Sequence, residues 1–219
     1  MTVCFQWAKE AEGTLILLDA EGKSFSSGVD IGDHKPGKSD EMNVFYQIFK
    51  TMFEIEKPII CAVDGYALGG GCELAICSDI VVASDRAKFG QPEIRVGAIA
   101  TLAVYMLPRL LSWPKAMELL LSGEHISSER AEKIGLINAV LPSVDFAEEV
   151  DSYIQKYLKN SPLLLRKVKK ALMVSKNKEF EEAIVDVRKI VNEEILTSHD
   201  GIEGLNAFLE KRKPVWLGK

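Results

Sequence analysis

Between residues 58 and 83, two short apolar runs flank a triple-glycine turn, and this arrangement constrains the fold more than any other feature of the chain. Pro58–Val63 and Ile80–Ala83 are short, apolar and rich in β-branched residues, so each is predicted to be a buried strand. The helix predicted between them runs from Leu68 to Ser78 and opens at the glycines. A strand, a crossover helix and a second strand are typical of a parallel pair.

An earlier part of the chain repeats this pattern. Thr14–Asp19 predicts a further buried strand, and Glu41–Ile55 predicts a helix because its apolar residues recur at helical spacing. Two strand–helix–strand steps indicate a mostly parallel sheet covered by helices, which places the chain in the α/β class.

The sequence from Thr101 onward is predicted to be largely helical. Leu136–Pro142 is the last extended piece, and we expect a boundary there between an α/β core over residues 1–142 and a C-terminal helical region over residues 143–219. The elements predicted after that boundary are the helices Phe146–Lys159, Pro162–Ser175 and Glu179–Leu196 and a final turn or helix at Gly204–Arg212.

Length and composition set the broad class. The chain has 219 residues, of which 47% are hydrophobic, enough for one domain with a sizeable core. The net charge of −5 argues against a nucleic-acid partner, because such surfaces are usually basic. No apolar stretch approaches the roughly 18 residues that would cross a membrane, and no secretory signal is recognised. The cysteines show no zinc-ligand spacing and are interpreted as buried side chains in a reducing compartment, so a cytoplasmic protein is expected.

Two glutamates, Glu73 and Glu93, are the candidate chemical groups. Glu73 follows the three glycines at 69–71, and Glu93 closes the run Phe-Gly-Gln-Pro-Glu. A glycine-rich turn that opens a helix leaves backbone N–H groups free to bind a developing oxyanion. Two carboxylates on one pocket can divide acid and base work, so the pattern suits proton chemistry beside a carbonyl group.

Four segments carry a resemblance to a known family. Residues 57–74 resemble the signature of the enoyl-CoA hydratase/isomerase (crotonase) superfamily. Residues 25–30, 89–93 and 203–212 resemble further motifs of the family, and the four segments occur in the family's order. The likeness covers the chain from about Thr14 to Lys219 and implies the crotonase (ClpP-like) fold, a spiral of βαβ units with a C-terminal helical region. In the family, a strand pair and a helix occupy the place of Met1–Gly13, so a shortened N-terminal part is expected.

The same resemblance implies roles for individual residues. The backbone N–H groups of Val29 and Gly70 would form an oxyanion hole for the thioester carbonyl of an acyl-CoA, and Glu73 and Glu93 would be catalytic, holding one water between them. Coenzyme A would enter as part of the substrate, and no metal or other cofactor is expected. Tail residues commonly contact CoA from a neighbouring subunit in this family, so a homotrimer or hexamer is expected. The residues expected to contact the acyl-CoA are Ser27, Val29, Asp30, Ile31, Gly70, Phe208 and Lys211.

One segment departs from the family pattern. Residues 98–109 replace a Pro-Gly-x-Gly-Gly-Thr stretch with apolar bulk, and this segment resembles more the branch that hydrates cyclic dienoyl-CoA esters. We therefore expect extra side-chain volume near the acyl end and a preference for compact or cyclic acyl groups. The residues expected to add this volume are Leu102, Val104, Tyr105 and Met106.

The predicted function is an acyl-CoA hydratase that adds water across the double bond of an enoyl-CoA. Two alternatives remain: an isomerase or hydrolase on the same scaffold, and a non-catalytic binding or scaffold protein with this fold. Retention of Glu93 beside Glu73 favours the hydratase over an isomerase that needs one glutamate.

Overall fold

The computed structural model describes residues 1–30, 32 and 39–219, without the side chains of residues 39–42. Helices and strands alternate in its first half. The elements there are α1 Thr2–Glu10, β1 Ile16–Leu18, α2 Ser39–Glu54, β2 Ile59–Val63, β3 Tyr66–Leu68, α3 Gly70–Ile76, β4 Ile80–Ser84, β5 Lys88–Gly90 and a 3₁₀ turn Pro92–Val96.

The second half is mainly helical, as the sequence predicts. Its elements are α4 Thr101–Leu110, α5 Trp113–Ser122, β6 Ile126–Ser127, α6 Ser128–Lys133, β7 Ala139–Leu141, α7 Phe146–Leu158, α8 Pro162–Ser175, α9 Phe180–Ile190, a π-helical turn Val191–Ile195 and α10 His199–Leu209.

The predicted α/β class with parallel strands is confirmed. Strand β2 pairs in parallel with β4, with Cys61 opposite Val81, and β4 pairs in parallel with β7. The strand order is β1-β2-β4-β7, and every residue of β2 is buried. Since α3 lies between β2 and β4 in the chain, the glycine turn marks the beginning of the crossover helix.

A second sheet, which the sequence did not indicate, has the order β3-β5-β6. Strand β3 pairs in parallel with β5, with Leu68 opposite Gly90, and the Ser26–Ala67 bridge extends this sheet to the loop that follows β1. Leu68, predicted to begin the helix, therefore belongs to a strand. That prediction was wrong because the partner of Leu68 is more than twenty residues away in the chain.

Two helices, the first and the last of the chain, also differ from the prediction. Helix α1 was not predicted at all, although it buries Phe5. Helix α10 begins at His199 rather than at Gly204, because the Ser198 hydroxyl accepts a hydrogen bond of 2.9 Å from Gly201 N and caps the helix. Among the described residues, no helix is long and apolar enough to span a membrane.

The described chain divides into two compact units. The first contains Met1–Trp7, Leu17–Glu54 and Ile59–Asp151, and the second contains Ala8–Ile16, Ile55–Pro58 and Ser152–Lys219. Within the second unit, the fully buried Asp200 carboxylate accepts hydrogen bonds from Ser161 Oγ and from the backbone N–H groups of Leu217 and Gly218. The boundary expected near residue 142 stays a prediction.

Candidate active site

A cavity of about 170 Å³ in the first unit brings together residues from five segments of the chain. Its walls come from the loop that follows β1, from α2, from the beginnings of α3 and α4, and from the 3₁₀ turn that carries Glu93. Five of the residues singled out in the sequence line it, namely Ser27, Val29, Gly70, Glu73 and Glu93. Since these residues are up to 66 positions apart, the fold and not the local sequence assembles the site.

The candidate oxyanion hole lies where the loop that follows β1 approaches the beginning of α3. Gly70 is the first residue of α3, so its N–H group has no acceptor within the helix. A methyl group at Gly28 would lie 2.9 Å from Gly70 N, and Gly28 has a φ of +97°. Only glycine fits this conformation and this approach, so the backbone at residues 28–29 reaches the helix end closely.

Hydrogen bonds to β3 hold that loop in place. Ser26 N donates to Tyr66 O, and Leu68 N donates to Ser26 O, both at 2.9 Å. Gly28 N donates to the Ser26 hydroxyl at 3.2 Å. The N–H group of Gly28 is therefore engaged within the loop, and that of Val29 is the next one along the cavity wall.

Glu73 contacts two helix N-termini. It lies in the first turn of α3, and its side chain is buried, with 3% of the residue exposed. Its Oε1 accepts a hydrogen bond of 2.9 Å from Ala103 N, in the first turn of α4. Helix N-termini attract negative charge, so both helices favour a carboxylate at this place.

Glu93 reaches the cavity from the other side. It lies in the first turn of the 3₁₀ segment, and a methyl group at Gly69 would be 2.6 Å from its Oε1. Gly69 has a φ of +52° and donates its N–H to Gly90 O at 2.9 Å. The Glu93 carboxylate therefore packs against the backbone that precedes α3, and a side chain at residue 69 would displace it.

Several residues that line the cavity were missed as site residues in the sequence, among them Phe45, Tyr46 and Thr101. Phe45 belongs to the apolar stripe of α2, which periodicity assigns to the core, yet it also lines the cavity. Tyr46 follows it and donates its hydroxyl to Thr101 Oγ1 at 3.1 Å. No sequence pattern pairs residues 46 and 101, so only the fold reveals this contact.

A second cavity, of about 240 Å³, shares Glu93 and residues 98–100 with the first one. Gln91 and Ile94 also line it, and its other walls are side chains from α4 and α5, among them Val104 and Met117. Val104 is thus one of the four bulky α4 residues expected near the acyl end. Leu102, Tyr105 and Met106 line neither cavity, and Met106 is buried in the core. The position of the acyl group stays a prediction.

Other predicted contact residues lie elsewhere. Asp30 is exposed, and its Oδ1 accepts a hydrogen bond of 2.7 Å from Gly32 N. Ile31 lies outside the described residues. Phe208 and Lys211 belong to the second unit, at the end of α10, and both are exposed. Asp30, Phe208 and Lys211 do not line the first cavity.

The cysteine beside Glu73 is not a candidate nucleophile. Cys72 is buried, and burial raises the pKa of its thiol to about 12. A neutral thiol is a poor nucleophile and a poor metal ligand near neutral pH. Cys72 is therefore excluded, and the polar groups of the first cavity are its two carboxylates, its backbone N–H groups and the hydroxyls of Ser27, Tyr46 and Thr101.

Comparison with known proteins defines the class of protein that this fold and this cavity represent. The sequence profile of the enoyl-CoA hydratase/isomerase family matches residues 2–219. The chain is 38% identical over 218 residues to a probable mitochondrial enoyl-CoA hydratase of Dictyostelium discoideum, covering 98% of this chain and 78% of that one. It is 35% identical over 204 residues to the cyclohexa-1,5-dienecarbonyl-CoA hydratase of Thauera aromatica, covering 92% and 78%.

A solved structure agrees with these relatives. An enoyl-CoA hydratase subunit from Geobacillus kaustophilus HTA426 superposes with a TM-score of 0.92 at 32% identity, covering all of this chain and 86% of that one. The chain belongs to the enoyl-CoA hydratase/isomerase family. The predicted crotonase fold and the predicted family are thereby confirmed.

Proposed function

We propose that this protein is an acyl-CoA hydratase that adds water across a double bond conjugated to a thioester. The observation that carries the proposal is the meeting of Glu73 and Glu93 in one cavity with Val29 and Gly70. Family membership supports the same reaction class, and the hydratase names of the relatives agree with it.

In the proposed reaction, the thioester carbonyl oxygen binds between the N–H groups of Val29 and Gly70. Attack of water on Cβ builds negative charge on that oxygen, and each fixed backbone donor can stabilise the charge by about 2.7–4 kcal/mol. Because the charge is larger in the transition state than in the substrate, these donors lower the barrier rather than only binding the ester.

Glu73 and Glu93 would hold the reacting water between them. One carboxylate accepts a proton from the water as its oxygen bonds to Cβ, and the other carboxyl group delivers a proton to Cα. A second functional group is needed because one proton leaves the water and another reaches carbon. Hydrogen bonding of Ala103 N to Glu73 supports this role, since it fixes the direction of that carboxylate.

The alternatives are weaker. An isomerase moves one proton between two carbons and can use one carboxylate, whereas this cavity contains two. A non-catalytic protein would not need two acidic groups beside a cavity whose remaining lining is largely apolar, because burying carboxylates is costly. The cyclic dienoyl-CoA ester stays a proposed substrate class, supported by the likeness to the Thauera relative.

Binding partners are proposed on weaker grounds. Ser27, Asp30 and Ile31 would follow the CoA path, and Phe208 and Lys211 would contact CoA in an assembled homotrimer or hexamer. Apolar residues of α10 are exposed in the single chain, with Phe208 82% exposed, and this supports a subunit interface that covers them in the assembly. We propose a cytoplasmic enzyme with no cofactor apart from the CoA of its substrate.

The test is turnover of a panel of enoyl-CoA esters, followed as loss of absorbance of the conjugated thioester. Hydration of at least one short or cyclic ester, with the hydroxyacyl-CoA product identified by mass, is the expected result. A shift of the double bond without a mass gain of one water would instead establish the isomerase, and release of free CoA would establish the hydrolase. Lack of turnover together with tight acyl-CoA binding would favour the non-catalytic alternative.

A further inference from the structure

Two consecutive aromatic residues of α2 line the first cavity and contact the beginnings of two other helices. Phe45 lies against the beginning of α3, since a methyl group at Gly70 would come within 2.8 Å of its ring. Tyr46 donates its hydroxyl to Oγ1 of Thr101, the first residue of α4. Helix α2 therefore joins the helix that carries Glu73 to the helix whose N-terminus contacts Glu73.

The two hydroxyl groups form a directed chain of hydrogen bonds. Thr101 accepts from Tyr46 at 3.1 Å and donates its own hydroxyl hydrogen to Ile99 O at 3.4 Å. This chain restrains the turn that leads into α4. The N-cap residue at that turn is Ala100, whose methyl group cannot supply the side-chain acceptor that most helices have there.

The end of α4 that this chain restrains also holds the donor to Glu73. Ala103, two residues after Thr101, is fully buried, and its N–H donates to Glu73 Oε1 at 2.9 Å. The third residue of a helix is the usual partner of an N-cap side chain, so Glu73 takes the place that Ala100 cannot fill. Residues of one helical turn move together, and a displacement of Thr101 therefore displaces this donor.

We propose that Tyr46 and Thr101 are positioning residues, whose hydrogen bond holds α4 where Ala103 N–H fixes the Glu73 carboxylate. The expected effect on catalysis rests on the proposed hydration reaction. The expected effect on the position of α4 does not. Misplacing a reacting group by a fraction of an ångström lowers the rate of the chemical step more than it lowers substrate affinity. The pair should therefore affect kcat and not KM.

The experiment combines Tyr46→Phe and Thr101→Val as single and double variants. Thr101→Ser keeps the hydroxyl, and Tyr105→Phe is the matched control, because Tyr105 is on the same helix but stacks on Arg109 and lines neither described cavity. Each single variant should lower kcat about threefold to tenfold, the effect of one net hydrogen bond, with KM changed less than about twofold. The double variant should be no slower than the slower single one. Thr101→Ser should keep a higher kcat than Thr101→Val, and Tyr105→Phe should match the wild type.

Amide hydrogen exchange of the segment that contains Ala103 gives a second readout, independent of activity. Exchange should be faster in Tyr46→Phe and Thr101→Val than in the wild type and in Tyr105→Phe. Equal exchange, unchanged kcat in an active protein, or single effects that multiply in the double variant would each overturn the proposal. If the wild type hydrates no enoyl-CoA, the proposed function fails, and the exchange rates alone still decide whether the pair holds α4.

Discussion

Glu73 Oε1 accepts the backbone N–H of Ala103 at 2.9 Å, so a candidate catalytic carboxylate also caps helix α4. The two residues are thirty positions apart and come from different helices. A substitution of Glu73 should therefore change both the stability of the fold and the rate of the reaction. The first two predictions separate these contributions.

The amide variants Glu73→Gln and Glu93→Gln remove the acid–base function and keep the side-chain shape. Each should lower kcat by a factor of about 10²–10⁴, with much smaller changes in acyl-CoA affinity. Steady-state kinetics and titration with a non-reactive acyl-CoA would measure the two effects. Glu148→Gln, an exposed position on α7, is the control and should behave as the wild type. Near-normal hydration by either site variant would contradict the assignment.

Truncation of Glu73 should cost stability that the amide substitution preserves. Glutamine keeps a side-chain oxygen that can accept from Ala103 N, whereas alanine leaves the N-terminus of α4 without this cap. Glu73→Ala should therefore be about 1 kcal/mol less stable than Glu73→Gln, as for the loss of a helix cap. Urea unfolding would measure the difference, and equal free energies of unfolding would show that the contact does not cap the helix.

A pair of glycine substitutions should separate two effects of a side chain, which are strain of the backbone at positive φ and collision with the beginning of α3. Gly28 and Gly22 have similar φ values of +97° and +104°, but a methyl group at Gly22 meets no atom within 4 Å, whereas one at Gly28 lies 2.9 Å from Gly70 N. Both alanine variants should lose about 1 kcal/mol of stability from strain. Only Gly28→Ala should lose more stability and also lose turnover. Equal losses of stability and activity would show that the loop does not approach α3 closely in solution.

The ion pair between Glu203 and Arg212 should be visible in a pH titration. Hydrogen bonds from the Arg212 guanidinium and from Val215 N lower the pKa of Glu203 to about 2. Because this folded-state pKa is below the unfolded value of about 4.3, the pair stabilises the fold above that unfolded value and loses its effect as pH falls towards 2. Carbon-detected NMR of the carboxyl groups should show the low value and its rise in Arg212→Gln. A value near 4 in the wild type would contradict the contact.

Acyl-chain preference should depend on Met117 in the second cavity. This side chain lines the cavity of about 240 Å³ that continues from Glu93. Met117→Ala should raise kcat/KM for decenoyl-CoA relative to crotonyl-CoA by about tenfold, the scale on which a few methylene groups discriminate in an apolar pocket. Met173→Ala on α8 makes the same substitution away from both cavities and should leave the ratio unchanged. An unchanged ratio in Met117→Ala would mean that the acyl group does not enter this cavity.

Secondary structure was predicted correctly where one short segment of sequence determines it. The apolar run at residues 59–63 and the glycines at 69–71 predicted a buried strand and the beginning of a helix, and both are present. The beginning of the last helix was predicted at Gly204, whereas α10 begins at His199. Here Gly201 is inside α10, where a methyl group would lie 2.0 Å from Ile195 O, so the residue permits a close approach.

Contacts between distant residues could not be predicted in this way. Leu68 reads as part of a helix until its pairing with Gly90 is known, and neither hydroxyl of the Tyr46–Thr101 pair belongs to a motif. Such contacts depend on where whole elements pack, and local spacing contains no information on that. Residue types indicated the chemistry of the cavity, and the fold determined which neighbours each group has.

Strand β3 has only three residues, yet it pairs with β5 on one side and with Ser26 on the other. The two candidate oxyanion donors follow these two contacts directly, one in each chain segment. Successive residues of a strand face opposite sides, so inserting or deleting one residue at 66–68 would shift the register of both segments at once. A change in length within these three residues should therefore displace both candidate oxyanion donors, because β3 sets the spacing between them.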